Sequence, residues 1–437
     1  MIKIYYCLKF TIGIIILCTL SNMQPNYLLP KEIWQLILEY CNFLSKIRMI
    51  QVCKYFNKYL IIEDFYNIPL EFKIRLNDDI LKNYPKIKYL DANAIFRINK
   101  ITTVKHFTNL TKLNAAENKH IGDEEIQNLN LLELNALRNP KISKVNHMTT
   151  LTYLNASGMC GVSDSNISQL NLRVLEAGCN HKITNVNHMT NLTKLVATGY
   201  CGIDDSGICQ LNLKELDAGH NYTITNVNHM TALTKLDCSC NCGIADSGIS
   251  KLNLKELYAR DNPKINNINH MTNLTKLEAN DYFSGIDDLG IAKLNLIELY
   301  ARSNSKITNI NHMTNLTMLE AAYDCGISDS GIAKLNLKHL CATNNYKIKN
   351  VNHMTNLTYL EASYDCGISD SGIAKLNLKE LYTGHNYKIT NVNHMTNLTK
   401  LVAFGYCGIG DLGICQLNLK ELVVYDNPKI TILYKYC

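Results

Sequence analysis

Cysteine and histidine recur along this chain of 437 residues at intervals that invite a metal or redox reading. Cys160, Cys201, Cys242, Cys325, Cys366 and Cys407 stand 41 residues apart or, across one gap, 83. His147, His188, His229, His270, His312, His353 and His394 follow one another at 41 or 42. Metal binding needs ligand atoms converging within about 2 Å of one ion, and a disulfide needs Cα atoms within about 7 Å. If each period is two turns of stacked backbone, neighbours in a column lie about 10 Å apart, too far for either. The thiols are therefore expected to be small buried apolar groups in a reducing compartment, and the imidazoles to be packing groups. A third column, Lys141, Lys182, Lys264, Lys306, Lys347, Lys388 and Lys429, could track a polyanion. Spacing alone does not ask for one, and a solvated rim is expected.

Nothing else in the chain has the form of a reaction centre. It has no Gly-rich phosphate loop, no nucleophile elbow, no clustered carboxylates with a partner His and no metal-ligand spacing. A non-catalytic protein without cofactor, metal or small-molecule ligand is expected. The formal charge of +6 is spread along the chain, short of a nucleic-acid-binding signature. With 46% hydrophobic and 19% charged residues the chain can bury a large core.

The elements that must carry these columns are repeats. Asn-His-Met-Thr occurs seven times, from Asn146 to Asn393. Each period holds two halves, marked by Leu-x-x-Leu-x-Ala patterns starting at Leu110, Leu131, Leu151 and onward to Leu419. Unit lengths alternate between 21 and 20, with one 22 at Phe283–Ser284, and a degenerate copy begins at Ile87. Sixteen such units resemble leucine-rich repeats, a resemblance that covers about three quarters of the chain. It implies an α/β solenoid of about sixteen turns with a parallel β-sheet on the concave face. The longer half, as in LTKLVATGYCGIDDSGICQLN from Leu192, resembles the cysteine-containing subtype, with its Cys one place later than usual. The shorter half, as in LKELYARDNPKINNINHMTN from Leu254, keeps an Asn that caps backbone groups in the turn.

In each unit the first, fourth and sixth residues (Leu192, Leu195, Ala197) should point inward, with Ile203 and Ile208 on the return. One buried side chain is worth about 1.5–3 kcal/mol, against about 1–2 kcal/mol of backbone entropy per residue. A single turn cannot fold alone, and stacking supplies the stability. Register-locked Gly residues, as in Asp205-Ser206-Gly207, are assigned to turn geometry. Third positions alternate Lys194, Glu215, Lys235, Glu256, Lys276 and Glu298, so opposite charges on adjacent strands should satisfy one another. Fifth and seventh positions vary: Asp237, Tyr258, Arg260, Glu278, Tyr300, Arg302, Tyr382, Phe404 and Tyr425. Tyr and Arg anchor interfaces, and these residues are the candidate target-binding surface for a protein partner.

Residues 28–60 are of another kind. Pro30 can open a helix carrying Ile33, Trp34, Ile37, Leu38 and Cys41 on one face. A break at Asn42–Phe43 leads to a second helix, and Val52, Cys53 and Phe56 begin a third. The Leu-Pro-x-Glu-Ile opening, the Ile-x-x-Tyr continuation and the Val-Cys-Lys-x-Phe ending resemble an F-box. That resemblance implies the substrate receptor of a Skp–cullin–F-box ubiquitin ligase. It gives the adaptor-binding role to Leu29, Pro30, Ile33, Ile37, Leu44, Val52, Cys53 and Phe56. The alternative is a helical cap on the first turn. Near-copied repeats and the Ile, Asn and Lys bias are also similar to F-box and repeat families of giant DNA viruses of amoebae, which implies a host ligase and a host cytoplasmic location.

The expected organisation is a hydrophobic leader over 1–22, an F-box-like helical domain over 23–64, a linker with a degenerate repeat over 65–109, and the solenoid over 110–437. Phe10–Leu20 is an apolar run too short to span a bilayer, yet adequate for a signal peptide. Asn-x-Ser/Thr sequons, such as the recurring Asn-Leu-Thr at Asn191, Asn273, Asn315, Asn356 and Asn397, would suit a secreted protein. The repeat itself explains their recurrence, and Met23 makes a natural start before the F-box-like segment.

Overall fold

A computed structural model describes residues 30–52, 54–94 and 100–431, in two compact units that divide at Ile183–Thr184. The leader over 1–22, Leu29 and Cys53 lie outside the described residues. Among those residues no helix is long and apolar enough to cross a membrane.

The first unit opens with three helices, α1 (Lys31–Tyr40), α2 (Phe43–Val52) and α3 (Lys54–Tyr59). Pro30 caps α1, where a missing N–H costs nothing, and its carbonyl accepts the N–H of Ile33 at 3.0 Å. Asn42 starts α2 by accepting the N–H of Ser45 at 2.9 Å. Trp34, Leu38 and Cys41 turn inward. The Trp34 ring meets Phe56 at 4.8 Å, and Phe43 meets Phe65 and Phe72 at 5.5 and 5.3 Å. Gln35 fastens α1 to the chain beyond α3, donating to the Ile61 carbonyl at 3.0 Å and accepting the Ile61 N–H at 2.9 Å.

A parallel ladder follows. β1 (Asp64–Phe65) pairs with β2 (Tyr89–Asp91), so the ladder starts at the boundary between the expected helical domain and the linker. It continues through β3 (Lys112–Asn114), β4 (Glu133–Asn135), β5 (Tyr153–Asn155) and β6 (Val174–Glu176). The second unit holds strands β7 (Lys194–Val196), β8 (Glu215–Asp217), β9 (Lys235–Asp237), β10 (Glu256–Tyr258), β11 (Lys276–Glu278) and β12 (Glu298–Tyr300). The rest are β13 (Met318–Glu320), β14 (His339–Cys341), β15 (Tyr359–Glu361), β16 (Glu380–Tyr382), β17 (Lys400–Val402) and β18 (Glu421–Val423). Within this unit the strands pair in parallel with the fourth-position leucines face to face, as Leu257 with Leu277 and Leu277 with Leu299. Leu192, Leu195, Ala197, Ile203 and Ile208 are all buried, as the repeat pattern requires.

Turn-to-turn hydrogen bonds account for the most repeated residues. In Asn-His-Met-Thr, the Asn reaches forward: Asn311 donates to the Ser330 carbonyl at 2.7 Å and accepts the Lys334 N–H at 2.8 Å. The His reaches back, His312 Nε2 to the Ile291 carbonyl at 3.1 Å, and the Met is fully buried. A second Asn, buried one turn apart from these, caps the return: Asn345 donates to the Ala321 and Ile327 carbonyls at 2.7 and 3.1 Å. Asp370 accepts the N–H and hydroxyl of Thr390 in the following turn at 2.7 and 2.5 Å.

The Asp-Ser-Gly-Ile glycines have a different reason from the one expected. Gly248 is not in the left-handed region, but a Cβ there would stand 2.0 Å from the Thr225 carbonyl oxygen of the previous turn. The glycine supplies space for the approach of two turns, not a special φ. Left-handed backbone is found instead at the eighth position of each turn, on residues as bulky as Tyr323 (φ 60), Tyr364 (φ 59) and His385 (φ 58).

Candidate functional site

The columns that could have carried chemistry are spent on structure. Burial pushes the thiols of Cys160, Cys242, Cys325 and Cys366 up to about 11, so they stay protonated and are poor nucleophiles. His147, His229, His270, His312, His353 and His394 each bond a backbone carbonyl of the preceding turn, at 3.1–3.2 Å. Among the described residues, no three His, Cys, Asp or Glu side chains could share a metal ion. The lysine column is more than a solvated rim. Lys264, Lys347 and Lys388 donate to the carbonyls of Cys242, Cys325 and Cys366 at 3.1, 3.1 and 3.0 Å. These ammonium groups clip one turn to the next while remaining on the surface.

What remains is the outward strand face. Third-position charges pair across adjacent strands as expected: Lys194–Glu215 at 3.2 Å, Lys235–Glu256 at 3.4 Å and Lys276–Glu298 at 3.1 Å. At fifth positions, Tyr258 and Tyr300 donate their hydroxyls to Glu256 and Glu298 at 3.0 and 3.3 Å. The Lys276 ammonium lies 5.8 Å from the Tyr258 ring and 5.1 Å from the Tyr300 ring, seated between them. Asp237 accepts the Ser239 N–H at 3.0 Å, and Glu278 accepts from Asn280 at 3.0 Å. The two candidate arginines are engaged within the face: Arg260 donates to Asp281 at 2.7 Å, and Arg302 lies over the Tyr323 ring at 4.3 Å. Tyr382 donates to Glu380 at 3.2 Å.

The structure thus brings Asp237, Tyr258, Glu278 and Tyr300 onto consecutive strands, with Arg260 and Arg302 in the turns just after β10 and β12. Phe404 and Tyr425 form a separate group with rings stacked at 4.8 Å and 11°. His385 stands edge-on to Phe404 at 5.3 Å and stacks on Tyr364 at 5.2 Å. Sequence reasoning missed Tyr364 and His385 because the eighth position was not recognised as left-handed backbone, which turns its side chain beside the neighbouring seventh position. It also passed over Glu320 and Glu361, which a complete reading of the fifth column would have found. Burial and the nearby carboxylates of Glu278 and Glu361 raise the Glu320 carboxyl above its usual range, against the pull of Arg302.

The helical residues separate into two sets. Trp34, Leu38 and Cys41 are core, whereas Ile33 (42% exposed), Leu36 (49%) and Tyr40 (78%) face out with the half-buried Ile37. The single apolar face expected from the sequence is two faces, because i, i+4, i+7 from Trp34 and i, i+3, i+4, i+7 from Ile33 are distinct stripes. Pro30 and Leu44 are exposed, and Phe56 is fully buried against Trp34, so it supports the helices from inside. Val52 ends α2.

No family model matches the chain, and no curated protein does. Solved structures similar to it include an internalin of Listeria monocytogenes, 20% identical with a TM-score of 0.42 over 73% of this chain and 88% of that one. The Rad7–Elc1 complex of yeast is 17% identical with a TM-score of 0.34 over 74% and 83%. A leucine-rich-repeat protein of Leptospira interrogans is 14% identical with a TM-score of 0.27 over 85% and 93%. With three-residue parallel strands, inward leucines and asparagine-capped returns, the chain folds as a leucine-rich-repeat solenoid of about 17 turns preceded by a small helical region.

Proposed function

We propose that this protein is a non-catalytic adaptor, the substrate receptor of a Skp–cullin–F-box ubiquitin ligase. α1 docks a Skp-type adaptor, and the strand face holds a protein target. The observation that carries the reading is the outer stripe of α1. Ile33, Leu36, Ile37 and Tyr40 occupy i, i+3, i+4 and i+7 and point away from the packed side of the helix. Leu44 on α2 is exposed as well. A helix whose inner face is already filled has no folding reason to keep an apolar outer face, and such a stripe suits a helix-in-groove contact. The reading places the protein in the cytoplasm, that of a host cell if the chain is viral.

The test is capture of a Skp-type adaptor by the full chain, with and without Ile33→Asp plus Ile37→Asp. Ile33 is exposed and Ile37 only half-buried, so the double variant should stay folded, with its melting temperature lowered only slightly, and lose the adaptor. Capture that survives the double substitution, or wild-type protein that captures none, would leave a plain repeat-based binding protein, cytosolic or secreted, unconnected to ubiquitin.

A further inference from the structure

The strand face of the second unit carries three carboxylates without an ion-pair partner among the described residues, although Arg302 pulls on Glu320 from a distance. Glu278, Glu320 and Glu361 occupy the same fifth position on alternate strands, joined in register through Tyr300 and Cys341. Glu278 accepts from Asn280, and Glu361 from the Thr343 hydroxyl at 2.9 Å and the Cys341 thiol at 3.4 Å. None of the three forms an ion pair among the described residues, because Lys276 is taken by Glu298 and Arg302 lies over Tyr323. The chain as a whole has a net charge of +6, so this local excess of carboxylates runs against its overall charge.

Spacing and aromatic neighbours narrow the partner. Parallel strands stand about 4.8 Å apart, so alternate strands repeat at about 9.6 Å. A polyproline II helix has three residues per turn and rises about 9.3 Å per turn. Its every third side chain would meet successive carboxylates of the column. The face already holds ammonium groups in the required way: Lys276 sits between the Tyr258 and Tyr300 rings beside Glu298, and Lys400 lies 5.8 Å from the Tyr382 ring beside Glu421. This pairing of tyrosine faces and carboxylates around the face's own lysines shows the chemistry by which it holds a cation. The unpaired carboxylates extend that chemistry to a basic partner.

We propose that the Glu278–Glu320–Glu361 column, flanked by Tyr258, Tyr300 and Tyr382, binds an extended basic segment of a protein, in polyproline II conformation, with Lys or Arg at every third residue. The segment lies across the strands. This rests on the strand face being the target-binding surface and names the chemistry of that target.

The test uses the full chain and two labelled nine-residue peptides of identical composition, one with Lys-Pro-Pro repeated, the other with its three lysines adjacent. Fluorescence anisotropy should show the spaced peptide binding at least about fivefold tighter, and binding should weaken as salt rises. Glu278→Gln, Glu320→Gln and Glu361→Gln together should weaken it about tenfold at unchanged melting temperature. Equal affinity for the two peptides, no binding by the wild type, or an unaffected triple variant would overturn the proposal. A cellular target that is retained by the triple variant but lost with Tyr258→Ala plus Tyr300→Ala would also overturn it, while leaving the strand face as the target surface. Adaptor capture through α1, scored on the same proteins, reports separately on the ligase reading.

Discussion

A Cβ on Gly331 would lie 2.0 Å from the carbonyl oxygen of Thr308 in the preceding turn. Real Cβ atoms do not approach a carbonyl so closely, and both partners are backbone, so neither can swing aside. Gly331→Ala should therefore push two turns apart and cost about 2–4 kcal/mol. Ser330→Ala, one residue away and exposed, should change stability by less than about 0.5 kcal/mol. Denaturant melts of the two variants make the comparison; equal, small losses would show that the approach of the turns is not as tight as described.

Asn345 is buried, donates to two carbonyls and accepts the Lys347 N–H at 2.9 Å. Asn345→Leu, near in size but without polar atoms, orphans all three backbone groups. A loss of about 3 kcal/mol or more is expected in the same melts. Proteolysis should map the first opening to the turns around residue 345.

Ser284 stands where six other long turns carry Cys, and its buried hydroxyl has no hydrogen-bond partner among the described residues. Ser284→Cys exchanges an unsatisfied hydroxyl for a thiol that tolerates apolar surroundings. The variant should be more stable by about 1–2 kcal/mol. A destabilised variant would mean that the site has no room for sulfur.

The column thiols make stability fall at alkaline pH. Burial raises Cys325 and Cys366 from 9.0 to about 11. Below pH 9 both the folded and the unfolded forms keep the proton, and the stabilisation is fully present. Between about 9 and 11 the unfolded thiol ionises while the folded one does not, so stability drops as pH rises, by roughly 2–3 kcal/mol per thiol. Melting temperatures from pH 8 to 10.5 should fall less steeply for Cys325→Ala plus Cys366→Ala than for the wild type. Parallel slopes would show that the thiols are not shielded in the folded state.

Stacked repeats make an unusual share of the fold legible in the residues alone. Each turn must bury the same positions as its neighbour, so Leu192, Leu195, Ala197 and Ile203 declare the strand and its return by recurrence. The cross-strand pairing of Lys276 with Glu298 follows from the same rule, since in-register parallel strands set equal positions side by side. The outward candidates Tyr258, Arg260, Tyr300 and Arg302 were legible for the opposite reason: they vary where everything around them repeats.

Other features could not be read from recurrence. A column of identical residues looks the same whether it binds a ligand, packs, or bonds the neighbouring backbone. Only the position of a carbonyl one turn away shows that His312 and Lys347 are clips and that Gly331 is a gap. The eighth position repeats a backbone angle rather than a residue type, so Tyr364 and His385 gave no signal until φ was known. In the helices, Trp34 and Ile33 are adjacent and similarly apolar. Which stripe became core was decided by what packed against it: Phe56 meets Trp34, while Ile33 stays 42% exposed. Sequence periodicity fixes what is repeated, because every turn sees the same surroundings; the tertiary structure decides what each repeated group touches, because the partner lies about twenty residues away along the chain and one strand spacing away in space.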